Sequence, residues 1–197
     1  MLLTLVRRLG RGMRVLPALL VGVASIPGAA ADGTAWKALQ QPGNVAIMRH
    51  AIAPGTGDPA NFTLGDCSTQ RNLDATGRAQ AQAIGAAFRE HGVGVDRVLT
   101  SQWCRSRETA ELLDLGPVKA FPPLNSFFRD RSTADAQTRR TRDFLASLPD
   151  DERVVLVTHQ VNITALTDRF PSSGEVLVID PGDDGTIETL GSIQIRP

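Results

Sequence analysis

Four residues of the sequence have the chemistry needed to handle a phosphoryl group. Arg49 and His50 follow one short apolar run, His159 follows another, and Arg105 lies near the start of a helical segment. Guanidinium groups bind tetrahedral oxyanions in a forked geometry, whereas a neutral imidazole can act as a nucleophile or carry a proton. Nearby cations lower the pKa of an imidazole and keep it nucleophilic. The set favours phosphoryl transfer over acyl transfer. By spacing alone, a histidine at a strand end is more often a satisfied structural residue.

Alternating strands and helices are predicted to position these residues. Such alternation is typical of an α/β three-layer sandwich with a mostly parallel central sheet. Sites in such sheets lie beyond the carboxyl ends of the strands, so we expect both histidines on one edge. The polar, Gly-rich segment 51–72 is predicted to be a long loop beside them. The predicted strands are 44–48, 96–100, 118–121, 153–158, 175–180 and 187–195, and the predicted helices are 75–90, 104–115, 133–148 and 161–170.

Four segments resemble, in order, the motifs of one known family. Residues 45–53 (VAIMRHAIA) resemble its opening strand and Arg-His-Gly signature in an Arg-His-Ala form, and residues 73–81 (LDATGRAQA) resemble its Leu-Thr-x-x-Gly-x-x-Gln-Ala helix start. Residues 100–110 (TSQWCRSRETA) resemble its Ser-x-x-x-Arg-x-x-x-Thr-Ala block, and residues 155–159 (VLVTH) its late strand. On these motifs the chain resembles the histidine phosphatase superfamily (phosphoglycerate mutase-like), most closely the phosphohistidine phosphatase-like members of branch 1.

This resemblance implies a fold, a mechanism and a site. The fold would be phosphoglycerate mutase-like, and the activity that of a phosphatase on a small phosphorylated substrate. His50 would attack phosphorus to give a phosphohistidine, while Arg49, Arg105 and His159 bind and stabilise the transferring group. No metal and no cofactor are implied.

The departures from the family motifs concern the proton donor. Ala51 replaces the usual Gly, Gln160 replaces the Gly or Asp that follows the second histidine, and residues 123–128 lack the Glu of the mutase-like branch. A leaving alcohol needs a proton, whereas a phosphohistidine, an acyl phosphate or a phosphoanhydride needs less help, so either the substrate has a good leaving group or an acid comes from elsewhere in the chain.

Three carboxyl groups are candidates for the missing acid. They are Asp58 and Asp66 in the long loop, and Glu108. Each also has a structural interpretation, respectively as an Asx-turn, a loop-cap and a helix-surface residue. The absent acid keeps a second hypothesis open, in which the chain is a catalytically weak relative that binds a phosphorylated ligand.

The first 31 residues are predicted to be a cleavable export signal. They contain four Arg and no acid, an apolar run at 15–26, and small residues that predict cleavage after Ala30 or Ala31. An uncleaved N-terminal anchor is the alternative. We therefore expect a periplasmic or secreted protein that meets the membrane only through this segment, with an envelope sugar phosphate as one possible substrate.

Composition supports a single remaining domain, residues 33–197. The chain has 197 residues, 42% hydrophobic and 21% charged, which is typical of a globular protein. Removing the four Arg of the signal leaves 17 basic against 21 acidic residues, so the net charge becomes about −4. Such a charge disfavours nucleic-acid binding. The sequence does not indicate the oligomeric state.

Cys67 and Cys104 are the two cysteines of the chain. In an oxidising compartment they are predicted to pair, with two isolated buried thiols as the alternative. If the family resemblance places both beside the site, a Cys67–Cys104 disulfide would fix the long loop over the phosphate pocket. In the chain-entropy model such a bridge contributes roughly 3–4 kcal/mol.

Overall fold

The computed structural model of the protein describes residues 27–196. Residues 1–26 of the predicted export signal lie outside the described residues, and its last five residues lie in the first helix. Within the described range, no helix has the length and hydrophobicity that a membrane span requires. The helices are α1 Pro27–Leu39, α2 Ala75–Glu90, α3 Cys104–Leu113, α4 Ala134–Ala146 and α5 Gln160–Thr167; the strands are β1 Val45–Arg49, β2 Arg97–Thr100, β3 Val118–Ala120, β4 Val154–Thr158, β5 Val176–Pro181 and β6 Ile187–Ile193.

The six strands form one sheet in the order β3-β2-β4-β1-β5-β6. The first four strands are mutually parallel, whereas β5 and β6 pair antiparallel at one edge. This arrangement confirms the predicted α/β fold with a mostly parallel central sheet.

Two apolar layers cover the sheet. The alternating residues of β1 divide between them: Ala46 and Met48 belong to a core that includes residues of α1, α2 and α3, while Val45 and Ile47 belong to a core that includes residues of α4 and α5. Phe88 of α2 is fully buried in the first core. The sheet is therefore the middle of three layers, and only its edges and strand ends are free to carry a site.

One helix was not predicted, and helices α3, α4 and α5 end before the predicted residues 115, 148 and 170. Helix α1, which the pattern analysis did not predict, packs along β6, and its Ala35 and Trp36 are buried in the first core. Helix α3 ends at Leu113, two residues early, because Asp114 adopts a left-handed conformation with φ of 51°. There Arg89 donates to the carbonyl oxygens of Leu113 and Asp114, which satisfies acceptors at the helix end.

Helix α2 lies unusually close to its neighbours. A Cβ atom at Gly77 would lie 1.9 Å from the carbonyl oxygen of Ile52, and one at Gly85 would lie 1.9 Å from that of Leu113. Only glycine permits these approaches. One turn after Gly77, the Gln80 side chain accepts a hydrogen bond from the Ile52 backbone N–H at 3.1 Å. The segment that follows β1 is thereby fixed to α2.

Candidate active site

The register of the parallel strands brings the two predicted site histidines together. Arg49 is paired with Thr158, so His50 and His159 follow neighbouring strand ends. The backbone N–H of His50 donates to the Thr158 carbonyl at 2.9 Å. The ring centroids of His50 and His159 are 5.4 Å apart. Both rings are almost completely buried.

Hydrogen bonds define the proton position on His50. Its Nδ1 lies 2.7 Å from the carbonyl oxygen of Ala51, which can only accept, so Nδ1 carries the hydrogen. Its Nε2 accepts a hydrogen bond from Nε of Arg105 at 3.2 Å and therefore presents a lone pair. Burial, and then the charge of Arg105, hold the pKa of His50 well below 6.5. His50 is thus a neutral imidazole with Nε2 available as a nucleophile.

Ser101 fixes the second histidine. Its Oγ lies 2.8 Å from Nε2 of His159 and accepts a hydrogen bond from the backbone N–H of Trp103 at 3.2 Å. Nδ1 of His159 lies 3.5 Å from Nη2 of Arg105, on the side of the ring away from Ser101. Burial, and then Arg105, hold the pKa of His159 well below 6.5.

Three arginines line the same cavity. Arg105 is 3% exposed. Arg49 donates from Nη1 to the Pro171 carbonyl at 3.1 Å, while its buried Nε has no partner among the described residues. Arg71, which the motif analysis did not single out, donates from Nε to the Gly57 carbonyl at 2.9 Å. Burial, together with Arg105, lowers the pKa of Arg49 and lowers that of Arg71 to about 10. The cavity floor is strongly electropositive.

Asp58 is the carboxylate that faces this positive charge. Its Oδ1 and Oδ2 accept hydrogen bonds from Nη1 and Nη2 of Arg105 at 2.6 and 3.2 Å. Oδ2 also accepts from the Trp103 indole at 3.0 Å, and Oδ1 from the backbone N–H of Arg71 at 3.2 Å. Burial raises the pKa of Asp58, but these hydrogen bonds and the charge of Arg105 outweigh it and hold that pKa below its ordinary value. In this arrangement Asp58 is ionised, which does not suit a proton donor at neutral pH.

The structure does not bring the other two acid candidates to the cavity. Asp66 caps the short 3-10 helix Cys67–Thr69 by accepting from the Ser68 backbone N–H, and Glu108 pairs with Arg78 at 2.6 Å. Both contacts match the structural interpretations of these residues.

A disulfide joins the long loop to helix α3. Cys67 and Cys104 are bonded, with their Cα atoms 5.7 Å apart. Beside the bridge, the Gln70 side chain accepts from the backbone N–H of Cys104 at 2.9 Å. Because Cys104 precedes Arg105, the bridge anchors the loop next to the arginine that holds Asp58.

The residues around Asp58 and the two histidines enclose a cavity of about 310 Å³. Its floor is polar, and its wall contains the rings of Phe62, Trp103 and Phe128. Phe62 stacks on Trp103 with ring centroids 5.0 Å apart. Of the two neighbours Phe127 and Phe128, Phe127 is buried in the protein and Phe128 is 54% exposed. The sequence contains no periodic signal for Arg71, Phe62 or Trp103, because all three lie in loops or at a helix start.

No group of three or more His, Cys, Asp or Glu side chains in the described part of the chain is arranged to hold a metal ion. The cavity is lined by the imidazoles of His50 and His159 and by the guanidinium groups of Arg49, Arg71 and Arg105. Together they place one nucleophilic nitrogen and three guanidinium groups around one cavity.

Comparison with known proteins identifies related chains and folds. The family model for the histidine phosphatase superfamily (branch 1) matches residues 46–125. The mitochondrial serine/threonine-protein phosphatase Pgam5 of Drosophila mojavensis is 26% identical over a 191-residue alignment that covers 76% of this chain. The chain spans 65% of the length of that relative and of its Drosophila virilis counterpart, which is 28% identical.

Solved structures share the fold at low sequence identity. The protein histidine phosphatase SixA, complexed with tungstate, has a TM-score of 0.56 and 17% identity over 77% of this chain and 96% of its own. The phosphoserine phosphatase of Entamoeba histolytica, in complex with 3-phosphoglyceric acid, has a TM-score of 0.55 and 11% identity over 77% of this chain and 97% of its own.

Proposed function

We propose that this chain, whose residues 46–125 match the model of branch 1 of the histidine phosphatase superfamily, is a phosphatase that works through a phosphohistidine on His50. The observation that carries the proposal is the state of His50. A buried, neutral imidazole directs its Nε2 lone pair toward the Arg105 side of a cavity that Arg49 and Arg71 also line. A nucleophile among fixed cations is what the attack on a dianionic phosphoryl group requires.

The reaction consists of two displacements at phosphorus. In the first, Nε2 of His50 forms a bond to phosphorus as the bond to the leaving oxygen breaks, and the leaving group departs with that electron pair. The proton on Nδ1 stays in its hydrogen bond to Ala51 and stabilises the charge that develops on the ring. In the second, water attacks phosphorus, Nε2 regains its electron pair, and phosphate and a proton are released.

The cations would stabilise the transition state through the equatorial oxygens. Arg49 has a buried, unpartnered Nε, and Arg105 carries two Nη groups at the cavity. Nδ1 of His159 can donate to a phosphoryl oxygen once the ring is protonated or has changed tautomer. A bound dianion beside it favours protonation, because an adjacent negative charge raises the pKa of an imidazole.

Turnover of p-nitrophenyl phosphate by wild type and by His50→Asn tests the proposal. We expect the variant to lose activity by roughly 10³-fold or more. A phosphorylated protein should appear by intact mass spectrometry after an alkaline quench in the wild type alone. His91→Asn is the matched control, because His91 stacks on Trp36 and does not line the cavity. Equal rates in all three proteins would overturn the assignment.

A second candidate function is the binding of a phosphorylated ligand with little or no turnover. It is favoured by one observation: the carboxylates that line the cavity, Asp58 and Asp130, both have a lowered pKa and offer no proton at neutral pH. Binding of phosphate by wild type and by His50→Asn, with turnover in neither, would support this candidate.

The substrate is proposed to be a small phosphorylated compound, since the cavity is at the low end of the roughly 300–1,000 Å³ range of ligand sites.

We also propose that the protein is exported, and the basic and apolar character of residues 1–31 supports this. An envelope sugar phosphate would then be accessible to it. N-terminal mass analysis of protein recovered from fractionated cells tests export: a chain starting after Ala30 or Ala31 is expected, and a chain retaining residue 1 in the cytoplasmic fraction would contradict it.

A further inference from the structure

The wall of the cavity has a chemical character distinct from its floor. Of the seven Phe and two Trp in the chain, Phe62, Trp103 and Phe128 line this one cavity. They come from three separate segments: the long loop, the position before α3, and the connection that follows β3. The fold therefore gathers three rings around the cavity that His50 and the arginines also line.

None of the three rings is fully buried in the protein core. Phe62 and Trp103 are only partly buried and stack on each other, so the pair presents aromatic surface at the cavity. Phe128 is 54% exposed. Single exposed apolar residues are common on protein surfaces, but a set of three around an electropositive cavity is not explained in that way.

The polar groups of the cavity also determine how acidic the conjugate acid of the leaving group must be. Asp58 has both carboxylate oxygens engaged by Arg105 and further bonds to Trp103 and Arg71, so it is not free to protonate a departing oxygen. Asp130 accepts a hydrogen bond from the Ser132 backbone as a cap. Neither carboxylate then supplies a proton, so the cavity favours a leaving group that is stable as an anion. A phenol has a pKa of about 10, whereas an alkyl alcohol is a much weaker acid, roughly as weak as water.

The volume of the cavity limits the size of the substrate that it can hold. An apolar cavity of about 150 Å³ is enough to hold benzene. A cavity of about 310 Å³ has room for one phosphoryl group and one ring of that size.

We propose that the preferred substrates are aryl phosphate monoesters, with the ring against Phe62 and Phe128 and the phosphoryl group on the arginines. This proposal rests on the proposed phosphatase function. Nε2 of His50 bonds to phosphorus, the bond between phosphorus and the phenolic oxygen breaks, and the phenolate leaves with the electron pair and takes a proton from water. Phosphotyrosine, either free or within a peptide, is the aryl phosphate monoester that occurs in proteins.

The test compares three esters in the wild-type protein. Phenyl phosphate and cyclohexyl phosphate match in size but differ in leaving-group acidity, and acetyl phosphate has a good leaving group without a ring. We expect kcat/KM for phenyl phosphate to exceed that for cyclohexyl phosphate by at least about 10²-fold. Equal values for these two esters would overturn the proposal. Free phosphotyrosine and a phosphotyrosine peptide then distinguish the two sources of the ring.

Variants of the wall supply the second measurement. Phe62→Ala and Phe128→Ala should each lower kcat/KM for phenyl phosphate roughly 3- to 10-fold more than they lower it for acetyl phosphate, because each removes an aromatic contact. Leu64→Ala is the control, since Leu64 is an exposed apolar residue of the same loop that does not line the cavity. Equal losses for both substrates would contradict an aryl subsite.

The outcomes separate this proposal from the function on which it rests. Turnover of acetyl phosphate that depends on His50, without a preference for phenyl phosphate, would overturn the aryl subsite alone. A preference for a phosphorylated imidazole over phenyl phosphate would also overturn it. No turnover of any ester would overturn the phosphatase function itself.

Discussion

The floor and the wall of the cavity are built in different ways. The floor residues Arg49, His50 and His159 follow from two adjacent parallel strands, whose register fixes their separation. The wall residue Phe62, and Asp58 near it in sequence, lie in a long loop that is held by side-chain contacts and one disulfide. The comparison indicates that the position of the nucleophile depends on the sheet, while the shape of the leaving-group side depends on contacts between distant segments.

After the loss of the nucleophile itself, the largest expected effect on the floor comes from the arginine fork. Arg105→Lys keeps the charge but replaces the forked guanidinium, with its Nε and two Nη donors, by a single ammonium group, so we expect kcat/KM to fall by roughly 10²-fold through lost transition-state stabilisation. Arg107→Lys is the matched control on the same helix, because the Arg107 side chain is half-exposed and pairs with Glu111. Steady-state kinetics on acetyl phosphate measures both. A similar fall in the two variants would mean that the geometry of Arg105 has no special role.

Loss of the disulfide should lower the stability of the protein and should affect substrate binding at the wall more than the displacement at the floor. Changing both cysteines to Ser is expected to lower the free energy of unfolding by roughly 3–4 kcal/mol, since the bridge closes a long loop. Denaturant titration with and without reductant measures this change, and reductant should affect the wild type only. We also expect KM to rise more than kcat falls. An unchanged midpoint after complete reduction of the wild type would contradict the prediction.

Asp58 should compete with phosphate for Arg105. Its carboxylate occupies both Nη groups and carries a negative charge close to the site of a phosphate dianion. Asp58→Asn is therefore expected to lower the inhibition constant of inorganic phosphate by roughly tenfold. Asp66→Asn, in the same loop but outside the cavity, is the control. Weaker phosphate binding in Asp58→Asn would instead indicate that Asp58 serves to orient Arg105.

The smallest expected effect is that of pH: below about pH 6.5 the stability of the protein should fall while its corrected activity stays level. Because the pKa of His50 is well below 6.5, the nucleophile stays neutral, and kcat/KM corrected for substrate ionisation should stay level from pH 7 to about 5.5. The unfolded chain takes up protons on His50 and His159 below about 6.5, and the folded chain does not. Stability should therefore be fully present above 6.5 and decrease as the pH falls below it.

Two measurements check this divergence. Denaturant titrations at pH 7.5 and 5.5 should show a lower free energy of unfolding at the acid value, while pH–rate profiles over the same range stay level. A loss of corrected activity with a midpoint near 6.5 would show that the imidazole of His50 titrates normally.

The sheet and the floor could be predicted from the sequence because their signals are local. Apolar runs at 44–48 and 153–158 end at Arg49 and His159, and strand periodicity with the rule for parallel sheets is enough to bring them together. The pairing of Cys67 with Cys104 was likewise predicted, from the cysteine count and the expected compartment, and the structure contains it.

The wall could not be predicted because its contacts join residues far apart in the chain. Asp58 was a candidate acid on residue type alone. Its ion pair with Arg105, 47 residues away, makes it an ionised partner of an arginine instead. Arg71 and Trp103 gave no sequence signal, since their roles arise from where the loop and the start of α3 meet.

The close approach of α2 to the backbone at Ile52 has a consequence for engineering and evolution. Gly77 has no space for a side chain there, and Gln80 holds the same residue by its N–H. The chain just after the nucleophile therefore has little freedom to change, and substitutions that alter which esters are accepted must occur further along, from about Asp58 to Phe62. A library restricted to that stretch and to Phe128 would explore new leaving groups while the displacement at phosphorus is retained.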